Sequence, residues 1–242
     1  MPLLTDSLAF LHCPKTCGTW IGSTFREEPH RRLGGSHDPL WATKGLGDRL
    51  TFGSVRDPWS WYMSLYLHAC HAHREDGVYL ARMAGVSAPW ERYPTAEGFR
   101  AWLRGATHLP GTKPEGIYWD CLAHTVHETG PELYPGAHGE GLASWRVAYT
   151  YGDGKSLTVC VDDIVRQHRL YEDLARVSGR DAEYLRETYP AVNTRWVRRK
   201  VPGPRDRSEW WTPAMVSWVR EADAWLLDLL EGYAPNWLGR VA

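Results

Sequence analysis

The sequence has few cysteines, few phenylalanines, no excess of either charge and no long apolar run. Its five cysteines, Cys13, Cys17, Cys70, Cys121 and Cys160, are an odd and scattered set. A 27.6 kDa chain buries roughly 70% of its unfolded surface and needs no disulfide staples. The five therefore read as free thiols in a reducing compartment. Cys13 and Cys17 are four apart, but no second Cys or His pair at zinc spacing follows them, which argues against a structural zinc site. With 28 Lys+Arg against 29 Asp+Glu, a globally basic nucleic-acid binder is excluded. No stretch approaches ~18 uninterrupted apolar residues, so no membrane span is expected. The start, Met1 to Asp6, lacks the basic and apolar regions of a signal peptide, so the expected location is cytoplasmic. What is present is an ordinary globular composition, 43% apolar and 24% charged, with one oddity. There are 14 Trp beside 4 Phe. Tryptophan suits cores with a wet edge and ligand pockets alike.

Along the chain, residues 8–12 form an apolar run ending at Pro14 and read as a buried strand entering a turn. Lys15-Thr16-Cys17-Gly18-Thr19-Trp20 follows, then a short helix to about Phe25. A second strand fits Leu50 to Val55, and Asp57 with Pro58 supplies the cap and first residue of a helix. Residues 73–150 carry little sustained period and read as an irregular insertion, apart from a helix near Ala96–Leu103. A third strand is expected at Leu157–Val161, then a helix from Ile164 to Ser178 ended by Gly179. The closing helix has Thr212 as cap, Pro213 at its first position, and apolar residues from Val219 to Leu230 at helical spacing. Strand, glycine turn and helix recurring in order predict a single α/β domain, 1–242, with a central parallel sheet flanked by helices.

A strand that ends in a tight Lys-Thr-x-Gly-Thr turn and enters a helix is built to hold a phosphate. The turn's backbone N–H groups, including that of Cys17, and the helix start present positive partial charge to one place. Lys15 adds a full charge, Thr16 and Thr19 add hydroxyl donors, and Gly18 lets a ligand approach the backbone. The Lys precedes the Gly, unlike the loop of ATP and GTP enzymes. A second segment, Thr51 to Pro58, places Arg56 at a strand end and Ser64 two turns into the next helix. Both reach toward the carboxyl edge of a sheet, where α/β ligands bind. Arg offers a bidentate fork and Ser one donor.

Together these segments resemble the sulfotransferase family that uses 3'-phosphoadenosine 5'-phosphosulfate (PAPS), in its compact bacterial and carbohydrate-modifying branch. Pro14-Lys15-Thr16-Cys17-Gly18-Thr19 looks like the family's 5'-phosphosulfate loop, and Val55-Arg56-Asp57-Pro58-Trp59 with Ser64 like its 3'-phosphate site. Val161 to Gln167 is similar to a later family segment, with His168 where an acidic residue is usual. Val192-Asn193-Thr194 and the closing helix are similar to the family's C-terminal part. The likeness covers residues 8–72 and 157–233 and leaves 73–150 almost untouched.

The resemblance implies a P-loop-like sulfotransferase fold and in-line transfer of a sulfuryl group to a hydroxyl or amine of a small-molecule or carbohydrate acceptor. PAPS would be the donor, adenosine 3',5'-bisphosphate (PAP) the product, and no metal is required. Lys15 would meet leaving-group charge, while Arg56 and Ser64 would hold the 3'-phosphate. His37, exposed by the Gly34-Gly35 turn, is the first candidate general base; Glu27 and Glu28 come next. Six Lys/Arg against one Asp between Arg195 and Arg207 form a basic loop, in which Arg198, Arg199, Lys200 and Arg205 are candidate phosphate contacts. Trp20, Trp59 and Trp61 flank the two motifs and either stack on adenine or pack the sheet. Trp90, Trp102, Trp119 and Trp145, with Tyr79, Tyr93 and Tyr118, are candidates for an acceptor wall. Two other readings stand beside this one: a kinase-like P-loop enzyme, and a nucleotide- or glycan-binding module without catalysis.

Overall fold

Two apolar runs, Leu8–Leu11 and Leu50–Val55, pair side by side in parallel, from Leu8 opposite Leu50 to Leu11 opposite Gly53. They are β2 and β4 of a five-stranded sheet in the computed structural model, which describes residues 2–13, 15–26, 29–32, 39–72, 95–106, 141–153, 158–190 and 206–241. With β1 (Leu3–Leu4), β3 (Arg31–Arg32) and β5 (Asp163–Arg166), the order is β3-β1-β2-β4-β5. β2, β4 and β5 are parallel, whereas β1 runs antiparallel to both neighbours. The sheet is thus mostly parallel rather than wholly so. A hairpin joins β1 to β2 because Thr5 closes the turn, its N–H donating to Leu8 O at 2.9 Å and its Oγ1 accepting from Leu8 N at 3.0 Å.

The third parallel strand lies later than the sequence predicts, and the expected helix from Ile164 does not start there. Residues 163–166 pair with Phe52 to Val55, a single tight turn covers Gln167–Arg169, and the helix runs only over Leu170–Ser178. The reason is long-range. Asp162 accepts from the Thr51 N–H at 2.6 Å and the Thr51 hydroxyl at 2.7 Å, and so aligns the strand that follows with β4. Gly179 ends the helix in the left-handed region at φ 69°, as expected.

The described residues form two compact units. Of the described residues, the first holds those up to Arg56 and from Trp145 to Pro190; the second holds 57–72, 95–106, 141–144 and 206–241. In the first, α1 (Gly18–Thr24), α5 (Leu170–Ser178) and α6 (Ala182–Thr188) cover the sheet around Phe10, Ile21, Phe25, Phe52, Val165 and Leu174. Three of the four phenylalanines are in this core, with Phe10 and Phe52 ring centroids 5.1 Å apart.

The second unit contains α2 (Pro58–Ala72), α3 (Ala96–Ala106), α7 (Pro213–Ala222) and α8 (Ala224–Leu229). Asp57 caps α2 by accepting from Ser60 N at 2.7 Å, and Thr212 caps α7 by accepting from Met215 N. The predicted closing helix is broken at Asp223. That carboxylate is fully buried, where it accepts from Tyr62 OH at 3.0 Å and Ser144 N at 2.7 Å. Trp210 and Trp211 pack on Phe99, and Trp59 donates its indole N–H to Val216 O at 3.2 Å. No described helix is long and apolar enough to cross a membrane.

The helix α4 (Leu142–Tyr151), which belongs to the first unit from Trp145 on, is a regular buried helix inside the stretch read as an irregular insertion. Its last residue, Tyr151, accepts from Cys13 N at 3.3 Å and Ser54 N at 2.8 Å and donates to Ser54 O at 2.8 Å. The ring lies over Gly53, where an added Cβ would come within 2.7 Å of three ring carbons. Because the hydroxyl is tied on three sides, the ring cannot retreat. Gly53→Ala is expected to cost about 1–3 kcal/mol, lowering the melting temperature by about 2–10 °C. An unchanged thermal unfolding curve would show that the ring gives way freely.

Candidate functional site

The turn between β2 and α1 has an uncommon backbone. Lys15 at φ 67° and Cys17 at φ 63° are both left-handed, although neither is glycine. Such conformations cost of order 1 kcal/mol each for ordinary residues and concentrate where a chain binds or reacts. Winding of this kind forms concavities for anions. The Cys17 carbonyl then starts α1 by accepting from Trp20 N at 2.9 Å and Ile21 N at 3.1 Å. Lys15 is half-buried and Thr19 exposed.

Because β2 and β4 are parallel neighbours, the Lys15–Thr19 turn and Arg56 leave the sheet at the same carboxyl edge. Arg56 is half-buried, and its guanidinium lies within electrostatic range of Cys17. Burial pushes the Cys17 thiol up to about 12, against the opposing pull of Arg56. Burial likewise raises Cys13 to about 11, opposed by Arg146 and by a hydrogen bond with Thr150. Both thiols are thereby held in the protonated form at neutral pH.

Three of the expected contacts take a different form. Thr16 does not present its hydroxyl outward. It is fully buried, donates to Cys13 O at 2.8 Å and shares a 2.8 Å hydrogen bond with Ser54 Oγ, tying the turn to β4. Gly18 is required by His12, since a Cβ there would fall within 2.7 Å of three atoms of that ring. His12, missed in the sequence, is therefore a wall of the turn; its only local signal is its place just before Cys13-Pro14. Trp20 packs against other parts of the protein. Its indole N–H donates to Tyr189 O at 2.9 Å, and its ring meets Tyr171 edge-on at 5.5 Å. Trp59 and Trp61 are likewise 1% exposed and pack their own unit.

Ser64 is half-buried on α2 in the second unit. Glu27, Glu28, His37, Arg198, Arg199, Lys200 and Arg205 lie outside the described residues, as do Trp90, Trp119, Tyr79, Tyr93 and Tyr118 and the side chain of Trp102. Trp145 is described, buried and stacked on Tyr149 at 5.1 Å. His168 is half-buried in the tight turn after β5. A surface groove of about 620 Å³, lined by Leu46, Asp48, Arg49, Thr51, Cys160 and others, opens at the amino end of β4. That is the opposite end of the strand from Arg56, so the groove is separate from the turn.

What this arrangement offers chemically is a strained, lysine-bearing turn and a forked cation on adjacent strand ends, with protonated thiols between them. It suits a ligand carrying more than one anionic group. No family model, curated protein or solved structure significantly matches the chain.

Proposed function

We propose that this chain is a sulfotransferase that moves a sulfuryl group from PAPS to a hydroxyl or amine acceptor. The observation that carries the reading is the convergence of the Lys15–Thr19 turn and Arg56 on one carboxyl edge, from β2 and β4 of a mostly parallel sheet. A P-loop-like sulfotransferase fold goes with that reading, since the first parallel strand feeds the phosphosulfate turn and the second feeds the 3'-phosphate arginine.

Sulfuryl transfer, like phosphoryl transfer, leaves little covalent work to the protein; it is mainly a matter of alignment and charge. Lys15 and the turn's backbone would stabilise charge building on the bridging oxygen as the S–O bond to the donor breaks. The Arg56 fork would hold the 3'-phosphate and thereby separate this donor from ATP. Ser64, the basic segment with Arg198, Arg199, Lys200 and Arg205, and the general base (His37 before Glu27 or Glu28) enter through the sequence pattern. The base would accept the acceptor's proton as the new S–O or S–N bond forms.

Thermal unfolding with PAP, compared with ADP plus magnesium, tests the reading. PAP at about 100 times its dissociation constant is expected to add roughly 2.7 kcal/mol, a rise of about 5–10 °C. ADP with magnesium is expected to add little. Magnesium-dependent stabilisation by ADP, with none by PAP, would replace this reading with the kinase-like one.

A further inference from the structure

Arg146 carries a charge where the first unit offers it little. It is fully buried on α4, and its Nε, Nη1 and Nη2 all lack a hydrogen-bond partner among the described residues. Burial pulls its pKa down, which is the same penalty seen from the proton's side. A buried cation is ordinarily paired, because losing water without gaining an anion is strongly unfavourable. It faces an aromatic ring, its guanidinium carbon lying 5.6 Å from the Tyr149 ring centroid. That recovers only a minor part of the penalty. Its ionisable neighbours Cys13 and Tyr151 offer no negative charge, since burial lifts Cys13 to about 11 and Tyr151 well above the usual phenol range.

The position of this guanidinium matters as much as its burial. Tyr151, five residues on, is hydrogen-bonded to Cys13 and Ser54, so α4 is held against the carboxyl ends of β2 and β4. Cys13, within electrostatic range of Arg146, lies two residues before Lys15. Trp145 stacks on the Tyr149 ring, and Trp41 meets the same ring edge-on at 6.0 Å. Trp41 is 39% exposed, so the aromatic cluster around Arg146 reaches the surface.

We infer that Arg146 is the receptor for an oxyanion (carboxylate, sulfate or phosphate) carried by the acceptor, whose ring or sugar body would lie against Tyr149, Trp145 and Trp41. The word acceptor rests on the sulfotransferase reading; the oxyanion does not. One face of the guanidinium is taken by Tyr149, which leaves the N–H edge for a two-pronged partner. The donor's own charges already have Lys15 and Arg56. An acceptor with an anionic group therefore gains binding by completing an arrangement that the described residues leave unsatisfied.

Thermal unfolding of wild type, Arg146→Met and Arg146→Lys tests this in sodium sulfate, in sodium acetate and in sodium chloride of matched ionic strength, each with and without saturating PAP. Without oxyanion, Arg146→Met is expected to melt at or above wild type, because an unpaired charge has been replaced by a similar apolar volume. With PAP bound, sulfate or acetate should raise wild type by about 3 °C more than Arg146→Met. The Met variant controls for general salting-out by sulfate. PAP affinity should be equal in the two proteins. A Met variant that melts lower and keeps the full oxyanion gain overturns the proposal, and so does a tenfold or greater loss of PAP affinity, which would assign Arg146 to the donor. Should Arg146→Met not fold, Arg146→Lys decides. Its gain falls to half or less if the fork binds the anion, and stays at wild-type size if the anion binds elsewhere. If PAP fails to bind wild type while the Arg146-dependent gain remains, the sulfotransferase reading falls and the oxyanion site stands.

Discussion

Lys15→Ala is expected to lower PAPS-dependent sulfuryl transfer by about 10²- to 10³-fold, the usual scale for losing one preorganised charge partner of a leaving group. Its melting temperature should stay within about 2 °C of wild type. The separation of the two effects follows from the backbone. At φ 67° a lysine and an alanine carry the same left-handed penalty, so the substitution leaves the strain of the turn unchanged. Lys15→Gly makes the contrast sharper. Glycine removes that penalty, about 1 kcal/mol, and should raise the melting temperature by about 2–4 °C while leaving the enzyme as slow as the alanine variant. A labelled-donor assay beside a thermal melt reads both quantities. A wild-type rate in Lys15→Ala would remove the phosphosulfate turn from the mechanism. Loss of stability in Lys15→Gly would mean the residue is held there for folding and not for chemistry.

Asp173→Asn is expected to cost about 3–5 kcal/mol, a fall of about 10 °C or more in melting temperature. Asp173 is 1% exposed and holds both ends of Arg166: Nε at 2.9 Å, Nη2 at 3.1 Å and the backbone N–H at 2.9 Å. These bonds fasten the last residue of β5 to the helix that follows, and Arg176 lies 3.6 Å from the same carboxylate. An asparagine keeps the shape but takes the carboxylate's charge away from the mostly buried Arg166 guanidinium, whose side chain is 14% exposed. The effect also has a pH signature. Burial raises the Asp173 pKa, but the hydrogen bonds and charge of Arg166 outweigh it and hold the carboxyl below its ordinary value. A carboxyl with a depressed folded pKa stabilises fully above its unfolded value, near 3.9, and that stability is lost as pH falls through the folded pKa. The gap between wild type and variant should therefore be full at pH 7 and close below about pH 4. A gap that does not change with pH would show that shape, not charge, is what Asp173 supplies.

Some elements were legible because their causes are local. The apolar runs at 8–11 and 50–55, Asp57 with Pro58, Thr212 with Pro213, and Gly179 each carry their own reason within a few residues, and they form as read. β5 was not legible because Ile164 and Val165 alone make too short an apolar run; Asp162 on Thr51 and Arg166 on Asp173 align and hold it. β1 and β3, two residues each, have no pattern to read. The break at Asp223 depends on Tyr62, 161 positions away.

The candidate site divides along the same line. The sequence by itself determined the α/β class and the presence of a lysine turn and an arginine at strand ends, because strand periodicity and turn chemistry act over neighbouring residues. It read the sheet as parallel, however, and missed the antiparallel β1. Only the tertiary structure decided what each side chain near that turn is for. A threonine hydroxyl, an indole N–H or a guanidinium accepts a ligand or a protein partner equally well, and what lies beside it depends on segments far away in the chain. Ser54 takes the Thr16 hydroxyl, Tyr189 takes the Trp20 N–H, and His12 occupies the space that Gly18 leaves. Arg146 alone among them is buried with nothing described to bond, a condition that folding creates and no run of letters displays.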